Sequence, residues 1–248
     1  MLHLPSTYRR YDIGIQVGPG EGDFRRTMVL TLVPRYILVN TLPRPLEYTQ
    51  AACGGRWRGI LPPGGRQAFH WPFAAYRRAL SVRFLASGDE NEPEDMWMWS
   101  GDLRLDTLGE VAVKLRTAAD AGGKSISHSS GWDTRRRTSS SEYIARVKLA
   151  LVGASVTAVF ERQDLRWPPY RIDNLTSLGI RYRQALSSSD AARVPAASGL
   201  WGGGGGGGED EIGSGELPWD SLGPQAAAPY SWDQPAGESR SLIVGFEQ

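Results

Sequence analysis

The chain has 248 residues, 28 of them Lys or Arg against 27 Asp or Glu, with 40% hydrophobic residues and one cysteine. That length can bury a sizeable core in one large domain or two smaller ones, while the near-zero charge balance offers no general case for binding nucleic acid or an anionic membrane. The lone Cys53 excludes an internal disulfide framework and fits a reducing, cytoplasmic setting; no apolar run reaches the about 18 residues of a membrane span, and the opening MLHLPSTYRRYDIG lacks a signal-peptide core.

Residues 11–17 (YDIGIQV) alternate weakly and read as a strand, which GPGEG at 18–22 breaks. Residues 27–32 (TMVLTL) form a second β-rich run, closed off by Pro34. The next stretch, YILVNTLPRPLEYTQ at 36–50, is written again as YRIDNLTSLGIRYRQ at 170–184. Asn40 and Asn174 lie 134 residues apart, and the same spacing carries Tyr36 to Tyr170, Tyr48 to Tyr182 and Gln50 to Gln184. Leu38 and Leu46 fall on Ile172 and Ile180, and Pro34 falls on Pro168. Within the stretch every matched position is even, whereas odd positions drift, as in Val39 against Asp173 and Glu47 against Arg181. A period of two is the period of a strand, so the retained side chains share one face and point toward a core. The five-residue links 41–45 and 175–179 hold Pro, Gly, Ser and Thr and read as hairpin loops, with Asn40 facing Leu46, Leu38 facing Tyr48 and Tyr36 facing Gln50. An inward asparagine at the last strand position can satisfy loop backbone groups that burial would otherwise strand.

Turn formers alternate with Trp57 and Ile60 over 54–65, LPPGGRQAFHWPF comes after them, and LSVRF at 80–84 is a short strand. This pair of blocks also recurs, as APYSWDQP before LIVGF. The spacing is now 161 between Trp71 and Trp232 and 162 between Leu80 and Leu242. The added residues fall in the Ser, Ala and Gly tract 185–216, whose seven consecutive glycines cannot repay their ordering entropy; it reads as a disordered insertion. After an acidic turn at 89–95, Trp97 and Trp99 share a face and Val111, Val113 and Leu115 alternate as a strand. Residues 118–141 read as a long flexible loop. In 143–160 Ala, Leu and Lys would support a helix, but the alternation of Val147, Leu149 and Leu151, together with Gly153, favours two strands and a turn. The expected architecture is all-β: tandem β-sandwich-like antiparallel repeats with long disordered loops. A first repeat spans 11–160, and a second, incomplete one spans 161–248 with its insertion at 185–216.

Chemistry is sparse. His3, His70 and His128 are far apart and none has a partner at metal-ligand spacing. Cys53 lies in a glycine-rich link with nothing nearby to activate it and reads as a bland loop thiol. Asp102 with Asp106, and Glu209 to Glu211, read as solvated charge, and Arg171, Arg181 and Arg183 as a wet outer face. Trp71 and Trp232 occupy equivalent positions, as packing residues would. No catalytic residue, metal site or cofactor is expected, and the chain reads as a non-enzyme.

In order, PRYILVN, LPRPLEYTQ, LPPGGRQAFHWPF, LSVRF, WSGDLRLDTLGEVAVKL, PYRIDN, GIRYRQ and PYSWDQP resemble the adaptor-binding repeat region of the vacuolar protein sorting-associated protein 13 family, the bridge-like lipid transfer proteins. The resemblance covers about 11–184 and 217–248. It implies sandwich-like repeats that each carry one asparagine, here Asn40 and Asn174, as the expected binding residues. It also implies organelle adaptor proteins with short proline-containing motifs as partners, the remaining repeats of a longer chain as neighbours, and an indirect, peripheral place at organelle membranes and contact sites. Nucleic acid is not an expected partner. One full repeat and most of another imply a piece of a larger protein. The rival reading is a carbohydrate- or membrane-surface-binding module using Trp57, Trp97 or Trp99; tryptophan fluorescence titrated with glycans and liposomes separates the two.

Overall fold

A computed structural model describes residues 11–53, 56–86, 97–117, 142–191 and 217–246. The acidic turn expected at 89–95, the loop expected at 118–141 and residues 192–216 of the expected insertion lie outside them. The architecture is all-β, as expected from the period-two text. An antiparallel ribbon comes first, β1 (Ile13–Pro19) with β2 (Met28–Pro34), joined through a short 3-10 turn at Gly22–Phe24. After it come β3 (Tyr36–Asn40), β4 (Leu46–Gln50), β5 (Gly59–Leu61), β6 (Arg66–Phe69), β7 (Leu80–Phe84), β8 (Gly109–Arg116), β9 (Glu142–Val152) and β10 (Ser155–Arg162). The helix-or-strand question over 143–160 is settled as β9 and β10, with Gly153 at φ +61° in the turn.

These strands make two sheets, β6-β3-β10-β9-β8 and β5-β4-β7. Their facing sides share one core, in which Leu38, Leu46, Leu61, Phe69, Trp71 and Phe160 are each at most 1% exposed. Burying each such side chain is worth about 1.5–3 kcal/mol. Among the described residues all but one of the strand pairs are antiparallel. The exception is β10 beside β3, with Val156 opposite Tyr36 and Phe160 opposite Asn40.

The hairpin expectation for 36–50 is corrected here. β3 bonds to β6 and β10, whereas β4 bonds to β5 and β7, so the two strands lie in different sheets. Residues 41–45 are therefore an arch that carries the chain from one sheet to the other. Asn40, Leu38 and Tyr36 look across the core and have no ladder partner in β4. A period of two specifies which face is buried, and an arch and a hairpin both satisfy it.

Five later strands repeat the plan: β11 (Tyr170–Asn174), β12 (Ile180–Ala185), β13 (Asp220–Leu222), β14 (Ala226–Tyr230) and β15 (Ser241–Phe246). Tyr170 pairs Tyr230 as Tyr36 pairs Phe69, Ile180 pairs Leu222 as Leu46 pairs Leu61, and Ile180 pairs Phe246 as Leu46 pairs Phe84. A smaller core of Ile180, Tyr182, Leu222 and Tyr230 lies between them. Ordered structure continues past 185, the expected start of the disordered insertion: Ala185 ends β12 and Ser188–Ala191 forms a helical turn. Its Asp190, 1% exposed, accepts bonds from Ser187 Oγ (2.9 Å) and the Glu238 backbone N–H (3.0 Å).

The two strand sets meet through charge. Lys114 and Arg116 of β8, 4% and 5% exposed, face Asp220 and Asp233. Lys114 Nζ lies 3.1 Å from Asp220 Oδ2 and 3.5 Å from Asp233 Oδ2, and Arg116 Nε donates to Asp233 Oδ1 at 2.8 Å while its terminal nitrogens engage Asp220. Lys114 Nζ also sits 4.6 Å from the centre of the Tyr230 ring. Asp102, expected to be solvated, is 9% exposed, pairs with Arg77 and takes part in this junction: its N–H donates to Gln234 Oε1 (3.2 Å) and its carbonyl accepts from Ala236 (3.2 Å). Gly101 must be glycine here, because a Cβ would lie 2.0 Å from the Asp233 carbonyl oxygen.

Burial, and next the charges of Asp233 and Asp220, push the Tyr230 hydroxyl far above its ordinary pKa. Burial raises Tyr48 and Tyr143 as well. The unfolded chain releases these protons near pH 10, where the folded chain still holds them, so the unfolded state binds fewer protons and stability falls as pH rises beyond that point. On the alkaline side these tyrosines therefore leave the melting temperature unchanged from neutral pH up to about pH 10 and lower it above that. Tyr230→Phe should flatten the drop, measured by circular dichroism across an alkaline pH series.

Candidate functional site

The two asparagines occupy equivalent positions in the two strand sets, each the last residue of its strand. Asn40 is fully buried. Its Nδ2 donates to the carbonyls of Arg44 (2.9 Å) and Leu61 (3.0 Å), and its Oδ1 accepts the Leu42 N–H (2.9 Å). Asn174, 2% exposed, does the same work: Nδ2 donates to Leu178 (2.8 Å) and Gly223 (2.8 Å), and more weakly to Leu222 (3.3 Å), while Oδ1 accepts from the Thr176 N–H (3.1 Å) and hydroxyl (2.7 Å). Each side chain thus ties the start of its arch, the end of its arch and the end of the neighbouring short strand, β5 or β13. This is the loop-satisfying geometry that an inward asparagine suggests, made through an arch.

The other recurring polar residue, glutamine, has an equally specific task that its recurrence flagged but did not explain. Gln50 accepts the Phe73 N–H on Oε1 (3.0 Å) and donates to the carbonyls of Phe73 (2.9 Å), Tyr76 (3.1 Å) and Arg77 (3.1 Å). Gln184 accepts the Gln234 N–H (2.9 Å) and donates to the Ser239 carbonyl (3.0 Å). Phe73 and Gln234 come after Trp71 and Trp232 at the same distance in sequence, so asparagine fastens one end of each unit and glutamine the other.

The arches differ in what they display. In the first, Leu42 is 1% exposed. In the second, Leu175 is 79% and Leu178 51% exposed, on a loop whose ends are fixed by Asn174 and whose centre is braced by Gln225 Nε2 on the Leu175 (2.8 Å) and Thr176 (3.1 Å) carbonyls. Two leucines held in water by a buried polar clamp form an exposed apolar knob.

The remaining candidates are occupied by packing. Trp97 is 7% exposed and meets Phe84 edge-on at 5.0 Å; Trp57 packs against Tyr48 (5.6 Å). Trp99 lies beneath Arg83 (4.7 Å) and Arg58 (5.8 Å), and Arg83 in turn bonds the buried Glu47 (2.7 Å). In the second set Arg181 and Arg183 close over Trp219 at 4.9 and 4.4 Å, so the drifting odd positions carry stacked guanidinium groups as well as wet charge. Cys53, expected to be a bland loop thiol, is buried in the turn after β4, against the Thr49 hydroxyl at 3.1 Å. His70 rests on Tyr11 at 4.9 Å. Among the described residues no group of three His, Cys, Asp or Glu side chains could hold a metal ion, and no helix is long and apolar enough to cross a membrane.

A duplicated β arch whose buried amides hold loops in place, and whose second loop leaves two leucines exposed, defines a β-repeat scaffold. The model of the vacuolar-sorting associated protein 13 adaptor binding domain matches residues 2–239, and the chain belongs to that family. Similar proteins include the intermembrane lipid transfer protein vps13D of Dictyostelium discoideum, 25% identical over 183 residues (74% of this chain, 3% of that protein). The human intermembrane lipid transfer protein VPS13D is 27% identical over 182 residues (70% and 4%). Intermembrane lipid transfer protein VPS13 of Chaetomium thermophilum is 20% identical over 233 residues (94% and 6%). The chain thus spans only 3 to 6% of the length of these relatives.

Proposed function

We propose that this chain is a non-enzymatic docking module, made of two successive β repeats, that recruits an intermembrane lipid transfer protein to organelle membranes and contact sites by binding adaptor proteins. Its place is the cytoplasmic side, and its contact with the membrane is indirect. The ligand class is a short proline-containing peptide, which arrives already extended and so loses little entropy on docking. The observation that carries the reading is the second arch: Leu175 and Leu178 stand in solvent while Asn174 beneath them is spent on backbone partners. Asn40 and Asn174 then serve binding by shaping the loops, and the leucines make the contact.

Replacing Leu175 and Leu178 together by Asp tests this. Both are exposed, so the melting temperature should hold. Pull-down by proline-containing adaptor peptides should weaken about tenfold or more, the equivalent of losing one well-buried aliphatic contact. Undiminished binding would remove the second arch from the site.

A further inference from the structure

The ribbon β1-β2 is uncovered in an unusual way. Its register places Ile15 opposite Leu32, Val17 opposite Leu30 and Pro19 opposite Met28 on one face. Ile13, Ile15, Val17, Met28, Leu30 and Leu32 are all between 53% and 67% exposed, a continuous apolar stripe in solvent. The opposite face is anchored at one end: a Cβ on Gly14 would strike the Ala154 carbonyl oxygen at 2.3 Å, and Arg35 bonds both the Asp12 carbonyl (3.1 Å) and the Ala154 carbonyl (3.0 Å). The stripe therefore belongs to a ribbon held at its Gly14 end, while Val29, farther along the opposite face, is itself 41% exposed.

The chain itself contains the covered version of this element. The ribbon β9-β10 precedes β11 in sequence as β1-β2 precedes β3, with Pro168 two residues before Tyr170 as Pro34 is two before Tyr36. β9-β10 does not join β11, the strand it precedes. It crosses back to β3, where β10 runs parallel and adds Val156 N–H to Arg35 O (2.7 Å) and Thr41 N–H to Phe160 O (2.8 Å). Its paired side chains, Ala158 with Leu149 and Phe160 with Val147, are 4% exposed or less and fill the first core. The strand that lacks such a visitor is β11. Among the described residues it has a sheet neighbour on one side alone, β14. Tyr170 is 49% exposed where Tyr36 is 7%.

We propose that β1-β2 is a donor ribbon and the outer edge of β11 its acceptor: the apolar stripe completes the sheet of another repeat of this architecture, with β2 parallel to that repeat's β11-type strand. For the chain by itself the occupant is a second copy, docked head to tail. Donor and acceptor are different surfaces, so the contact does not close into a twofold dimer and propagates. Successive repeats of one long chain would interlock by the same exchange, each finished by the ribbon that introduces the next.

Sedimentation velocity of the 248-residue chain from the low micromolar to the sub-millimolar range tests the exchange. The weight-average mass should rise past that of a dimer. Ile15→Asp with Leu30→Asp spoils the donor face, and Asp173→Pro spoils the acceptor edge on the side of β11 away from β14; each variant should remain monomeric with an unchanged near-ultraviolet spectrum. Mixed together they should form one-to-one dimers and stop, because one intact donor and one intact acceptor remain. A monomer at all concentrations, a dimer that closes, or assembly that survives the Asp substitutions would overturn the proposal. Binding of the stripe to phosphatidylcholine vesicles by a chain that stays monomeric would also overturn it, and would give the ribbon to lipid. None of these outcomes depends on Leu175 or Leu178, so failure here and failure of peptide docking are separable.

Discussion

Asp220→Ala is expected to cost about 3–5 kcal/mol of stability, the ordinary loss when one partner is removed from a buried ion pair. Lys114 and Arg116 would remain in place, 4% and 5% exposed, with Asp233 as the other carboxylate the junction offers them. Burial by itself would raise the Asp220 pKa, but the charges of Lys114 and Arg116 and their hydrogen bonds outweigh it and hold the carboxyl below its ordinary value. A depressed folded-state pKa gives stability that is present above the unfolded value, near pH 3.9, and lost as pH falls through the folded value. Acid should therefore weaken the junction only below about pH 4. Urea unfolding at neutral pH measures the loss, as a lowered midpoint at constant slope. Replacing Lys114, Arg116, Asp220 and Asp233 together by apolar residues should recover much of it, since the full set removes the stranded charges along with the bonds.

Asn40→Ala is the second large effect. It strands the buried Leu61 carbonyl and the buried Leu42 N–H, at about 1–3 kcal/mol for each group. Asn174→Ala should cost less. Its shorter donated bonds, to the Leu178 and Gly223 carbonyls, are only partly buried, so water can replace the amide there, and its buried bond to the Leu222 carbonyl is long at 3.3 Å. Equilibrium unfolding of the two variants side by side reads the difference. Asn40→Asp separates the two halves of the amide, because it keeps the acceptor for Leu42 and loses both donated bonds.

Much of this fold is legible in the sequence because the duplication supplies its own comparison. Even positions from Tyr36 to Gln50 survive a second writing and odd ones do not, which marks the buried face; Trp71 at 1% exposure confirms that its recurrence meant packing. The family is legible for the same reason, from several ordered blocks that are each weak alone. What sequence leaves open is which strand lies beside which. The arch between β3 and β4 has a hairpin's length and turn residues, and what distinguishes it is that both strands spend their ladders elsewhere. The union of β10 with β3 joins residues about 120 apart, such as Val156 and Tyr36, and carries no local mark. The ionic junction is hidden likewise, because Arg116 and Asp220 look like ordinary surface charges until β8 meets the second strand set. The candidate site was legible as residues and not as roles. Asn40 and Asn174 stood out, while the exposed leucines of the second arch sat among drifting positions where repetition gives no signal.

The sharpest test of docking at the second arch is a titration of the leucine-labelled chain with short proline-containing adaptor peptides, read in methyl spectra. Saturable shifts are expected at Leu175 and Leu178, with the buried Leu38, Leu46 and Leu61 unmoved. Saturable binding that shifts other methyls and leaves Leu175 and Leu178 still would contradict peptide docking there.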